Sequence, residues 1–140
     1  MKPIGHAIVS ITAASILYQY THSIAGFIWF VACGTLIDAD HYIDYVRECG
    51  VSFNPKKVYH SCKNGYKTFK KIVIIFHSYE LVIILWLAIF IFNLGIVWAQ
   101  AALGLTLHMF VDTLVNPLLP SSYFFLYRAM HNYETKEILK

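Results

Sequence analysis

Apolar residues fall into four blocks along the chain, 4–18, 24–37, 72–92 and 96–115, separated by two short polar turns and one long polar stretch. None is a clean apolar run of about 20 residues, but each approaches the length that crosses a bilayer once its polar end is counted. The third is the most apolar, since 81–92 carries no polar residue and Lys70 and Lys71 mark its start. The turns at 19–23 and 93–95 are short, which predicts antiparallel helical hairpins. Residues 42–71 are polar and basic, broken by Gly50, Pro55 and Gly65, and read as a loop with short helices rather than a fifth span. The pattern predicts an all-α fold: an integral membrane four-helix bundle, one membrane-embedded domain over 1–140, with a cytoplasmic basic loop (42–71) and a C-terminal amphipathic helix or tail (116–140).

Composition supports the membrane reading. The 140 residues are 58% hydrophobic and only 14% charged, against roughly 25% charged in an ordinary soluble domain, and the mean hydropathy is +0.55. Cys33, Cys49 and Cys62 have no CxxC spacing and leave an odd one out, so they read as reduced thiols, not as a disulfide framework or a cysteine zinc site. Lys2 followed by the apolar run 7–17 raises a signal peptide as an alternative. His6 interrupts that junction and a second apolar block follows at once, which favours a retained first helix.

Cations set the orientation. The long loop holds Arg47, Lys56, Lys57, Lys63, Lys67, Lys70 and Lys71, whereas the two hairpin turns hold no Lys or Arg. Lys2, Arg128, Lys136 and Lys140 fall on the loop's side if all four blocks span. The positive-inside rule then predicts a multi-pass protein of the inner (cytoplasmic) membrane with both termini in the cytoplasm.

In that topology the polar residues of the spans gather at one depth. His6 opens the first helix, Asp38 and His41 close the second, His77 and Glu80 lie early in the third, and His108 and Asp112 lie late in the fourth. Spacings of three or four put each pair on one helix face. Asp40 lies about 200 degrees from Asp38 on a continued helix, facing solvent or backing the ligands, and Asp44 is placed to pair with Arg47. Ser10, Gly34 and Gly104 lie one turn deeper than His6, Asp38 and His108, where small residues let helix backbones approach closely.

Imidazoles and carboxylates converging in a low-dielectric bundle call for a divalent cation. Nitrogen and oxygen ligands without cysteine suit zinc first, with manganese or iron as alternatives. The expected ligands are His6, Asp38, His41, His77, His108 and Asp112, enough for one or two ions. Glu80 is the expected general base or an orienter behind the ligands, Asp40 is the other expected catalytic residue, and Arg128 is the expected contact to a phosphate or lipid headgroup. Taken singly, each histidine is more often an interfacial or hydrogen-bonded residue than a ligand, and His22, His60 and His131 are read that way.

Gly5-His6, IDADH at 37–41, His77-Ser78 and HMFVD at 108–112 together resemble the LexA-regulated group of membrane-bound metal-dependent hydrolases. The likeness covers 6–112, with DxDH and HxxxD as its most informative parts. HxxxD also resembles, more distantly, a ligand pair of zinc-dependent phospholipase C. The chain departs from the group at FHSYE, 76–80, where a longer element rich in histidine, arginine, glycine and threonine is expected. The resemblance implies a multi-helix membrane protein whose marked histidines and aspartates bind metal.

These readings predict a membrane-bound metal-dependent hydrolase of an ester or phosphoester, with a membrane lipid as first substrate class. The alternatives are a non-catalytic membrane subunit with a structural metal or a His/Asp hydrogen-bonded network, and, less favoured, a metal or proton transporter. The nearly all-apolar outer halves of the helices argue against a conduit. Nucleic-acid binding is not expected, because the basic loop lacks a recognition motif.

Overall fold

The computed structural model describes residues 3–63 and 68–139. It is all-helical, with no strand among the described residues: α1 Pro3–Thr21, α2 Ile24–Thr35, a 3₁₀ turn Leu36–Asp40, α3 His41–Cys49, α4 Pro55–Lys63, α5 Tyr79–Ile91, α6 Ile96–Val115, a second 3₁₀ turn Pro120–Tyr123, α7 Phe125–Met130 and α8 Thr135–Ile138. Two compact units are distinguished within the chain: 1–38 with 79–116, and 39–78 with 117–140.

The first unit is built on α2 against α6, with α1 packed on both and α5 on α6. Its turns are as short as expected. His22 takes a left-handed conformation, and Ser23 caps α2 by accepting the Gly26 N–H at 3.1 Å. Asn93, a residue type that tolerates the left-handed region, turns the chain after α5.

The interior of this unit combines small and polar residues with the large apolar Phe30, Val82, Ile89, Leu105 and Met109, and its exterior carries many large apolar side chains. His6, Ser10, Ala14, Gly26, Gly34, Gln100, Ala101, Ala102, Gly104, His108 and Asp112 are buried, while Ile4, Ile8, Ile28, Trp29, Ile84, Leu87, Phe90, Trp98, Phe110 and Leu114 are exposed. Hydroxyls on these apolar helices are satisfied within their own helix: Ser15, Thr21, Thr35, Thr106 and Thr113 each donate to the carbonyl four residues back.

The helical stretch Ile24–Cys49 is long and apolar enough to cross a membrane by length and composition, and α5 is a shorter apolar helix. The third block departs from expectation. Its helix starts at Tyr79, not near residue 72, and has 13 residues, about 20 Å at 1.5 Å per residue. Residues 72–78 are not helical.

The second unit joins the basic loop to the C-terminal segment. Its core is Tyr45, Phe69, Ile72, Ile74, Leu118, Tyr123 and Ile138. The tail is therefore folded rather than free: Ile72 N–H donates to Tyr133 O, Thr135 N–H to Lys70 O, and Leu119 N–H to Ile138 O.

Candidate metal centre

In the first unit, the period of the helix fixes a rung of small residues one turn from a rung of ligand-type residues. A Cβ on Gly34 would press on Ser10 Oγ and lie 3.3 Å from Gly104 O, and one on Gly104 would collide with the Phe30 carbonyl. Only glycine allows α1, α2 and α6 to come this close. One turn on, the same approach carries His6 from α1, Asp38 from the 3₁₀ turn, and His108 and Asp112 from one face of α6 into a single group. One ligand atom of each lies within 4.8 Å of all the others.

Proton positions follow from the contacts. His108 Nδ1 lies 3.0 Å from Gly34 O, and a carbonyl only accepts, so Nδ1 donates there and the ring turns Nε2 to the cluster. Nε2 faces Asp38 Oδ1 and Asp112 Oδ2, each at 3.5 Å. These separations exceed the 2.7–2.9 Å typical of charge-assisted hydrogen bonds. They match the spacing of about 3.3–3.6 Å between neighbouring ligands of a tetrahedral ion bonded at about 2.0–2.2 Å. His6 behaves differently: its Nε2 lies 2.8 Å from Asp112 Oδ1 as a direct hydrogen bond, and its ring stacks on His108 with centroids 3.9 Å apart.

His6, His108 and Asp112 are almost fully buried, and Asp38 keeps 18% of its side chain exposed. Two carboxylates around an imidazole nitrogen, with only Asp38 partly open to solvent, form a donor set that fits a divalent cation. A buried His/Asp group that could hold a metal ion is therefore present, as the sequence leads one to expect.

The second unit holds Asp40, His41, His77 and Arg128, while Glu80 belongs to the first. Asp40 stands at the start of α3 but does not cap it. It is buried, not solvent-facing, because its carboxylate turns to the non-helical stretch: Oδ2 accepts the Phe76 N–H at 3.0 Å, and Oδ1 lies 2.9 Å from His77 Nδ1. The His41 and His77 rings lie 4.8 Å apart. Since His77 precedes α5 and Glu80 lies half-buried in its first turn, the helical i,i+3 relation expected of that pair is absent.

Two more residues join Asp40 in holding 72–78 without helical hydrogen bonds. Asp44 accepts the N–H groups of Val73 and Ile74 while pairing with Arg47 at 3.3 Å. Arg128 donates to the carbonyls of Ile74, His77 and Ser122 at 2.7–2.9 Å. Ile74 itself sits at φ 26, a strained position for a β-branched residue, held from both sides by these bonds. Arg128 is fully buried, which corrects its expected headgroup role: its guanidinium is committed to backbone. The structural use of Asp44 and Arg128 was missed by sequence reasoning. Ser78, a helix-capping residue type directly before Tyr79, was the available signal of the late helix start.

No family model matches the chain, and no curated protein or solved structure matches it.

Proposed function

We propose that the protein is a multi-pass membrane-bound hydrolase that uses a divalent metal, zinc first, to cleave an ester or phosphoester of a membrane lipid at the cytoplasmic face. The resemblance to the LexA-regulated hydrolase group belongs to this reading and rests on the motifs quoted above. The observation that carries it is the buried Nε2 of His108 facing two carboxylates inside a unit whose exterior is apolar. Large exposed apolar surface around an interior that holds buried polar groups suits a lipid surround and is costly in water. Buried carboxylates in such a place need a compensating charge.

Asp38, His108 and Asp112 would hold the ion. The chemistry it would supply when bound is Lewis acidity, polarising the substrate's ester oxygen and acidifying water. Around it, the chain's own groups position. The Gly34 carbonyl fixes the His108 tautomer, and His6 orients Asp112, the usual task of an outer partner. Asp38, the most exposed of the four, marks the side from which a substrate would enter. Glu80 remains the proposed base, and Asp40 positions His77.

The near-complete burial of the other three residues favours a second reading, a structural metal clip in a non-catalytic membrane subunit. A closed coordination shell would distinguish it from a catalytic site with an open position. The test is to purify the protein in mild detergent, measure bound metals, and repeat with His108→Ala and Asp112→Ala. Stoichiometric metal in the wild type and its loss in both variants is the expected result. Unchanged metal content in the variants would refute the assignment. Chelator-sensitive turnover of phospholipids or small phosphodiesters then separates enzyme from clip.

A further inference from the structure

We propose that residues 51–60 form an interfacial foot that binds the surface of an anionic phospholipid bilayer, with Phe53 entering the acyl boundary and Lys56 and Lys57 engaging lipid phosphates. The proposal rests on the membrane residence argued above and adds a contact outside the metal centre.

Phe53 is 92% exposed and Val51 68% exposed, although the turn that carries them is pinned. Gly50 ends α3 in a left-handed conformation. The Tyr42 hydroxyl donates to Ser52 O at 3.1 Å, and Asn54 N–H donates to Ser52 Oγ at 3.3 Å. Asn54 Oδ1 then accepts the N–H groups of Lys56 and Lys57, capping α4, while Val58 N–H reaches Asn54 O. Phe53 thus projects from a fixed turn and not from slack chain.

Charge complementarity names the occupant. No Asp or Glu occurs from 49 to 62, and the exposed lysines Lys56 and Lys57 follow the apolar tip within four residues. An apolar tip flanked by cations suits the cytoplasmic leaflet, whose anionic lipids attract lysine and whose acyl boundary accepts an aromatic ring. Protein interfaces instead deplete lysine and bury contiguous apolar patches, whereas Phe53 and Val51 form a small tip.

The test places trifluoromethyl-phenylalanine at position 53 of the full chain, reconstituted in nanodiscs of neutral phosphatidylcholine or of phosphatidylcholine with phosphatidylglycerol. Fluorine relaxation is read with dissolved oxygen, which concentrates in the bilayer, and with a water-soluble gadolinium chelate. The oxygen-to-chelate ratio should rise at least threefold with the anionic lipid and fall back in Lys56→Glu/Lys57→Glu. Molar salt should reverse the rise in the unsubstituted background, so the readout does not depend on the variant folding. A ratio indifferent to lipid charge and salt overturns the proposal, as does shielding that follows protein concentration, which would mark a second copy on the tip. Carbonate extraction of native membranes is done first. A chain released by carbonate fails the membrane reading itself, whereas a retained chain with a flat ratio fails the foot alone.

Discussion

At the scale of single residues, His6 and His108 look interchangeable in sequence and are not so in space. His108 turns its Nε2 to two carboxylates at 3.5 Å, while His6 commits its Nε2 to Asp112 at hydrogen-bond distance. Substituting His6 by Ala should therefore weaken metal binding about 10–100-fold, the usual loss of an outer partner. His108→Ala should abolish it. Competition against a zinc chelator measures both, and equal losses would mean that His6 is itself a ligand. Arg128 makes the opposite case, a cation in sequence terms available for headgroups and in structure a bracket for three carbonyls. Each carbonyl left without a partner costs about 1–3 kcal/mol, so Arg128→Met should destabilise the chain by roughly 3 kcal/mol or more in thermal unfolding. Arg128→Lys should rescue little, because a point ammonium does not reproduce the planar fork.

At the scale of elements, Gly104 couples packing to the metal centre. Its missing side chain lets α6 touch the Phe30 carbonyl one turn before His108. Gly104→Ala should cost about 1–3 kcal/mol by overpacking and weaken metal binding although no ligand changes, measured on the same sample by unfolding and by chelator competition. Full affinity in a folded Gly104→Ala protein would separate the two. The close helix approach was legible beforehand, because a period of 3.6 residues places Ser10, Gly34 and Gly104 under their ligand-type neighbours with no knowledge of the fold. The broken start of the third block was not legible. A helix supplies its own hydrogen bonds locally, but 72–78 receives them from Asp44 and Arg128, which lie 30 and 54 residues from Ile74. Hydropathy alone reads the apolar residues 72–76 as the opening of the third block. For the same reason the burial of Asp40 escaped a calculation that continued the helix past residue 38, where the chain tightens into a 3₁₀ turn.

At the scale of the whole molecule, the proposed topology rests on charge counting, and the chain's native cysteines can test it. If 42–71 is cytoplasmic, a membrane-impermeant maleimide added to intact spheroplasts should leave both Cys49 and Cys62 unlabelled, and permeabilising the membrane should expose them. Their rates should then differ. Cys49 is exposed at the end of α3, whereas Cys62 is half-buried and its Sγ donates to His41 O at 3.6 Å. Burial pushes the Cys62 thiol up to about 11, with the nearby Asp44 and Cys49 adding to the rise. A raised pKa means less thiolate, the reactive species, so at pH 8 the fraction falls roughly a hundredfold or more below that of an ordinary thiol near 8.5. Labelling of Cys62 should accelerate about tenfold per pH unit up to that range, and Cys62→Ser should remove only the slow phase. Rapid labelling of Cys49 before permeabilisation would put the basic loop outside, against the positive-inside rule, and would move the proposed lipid contact of Phe53 to the opposite leaflet.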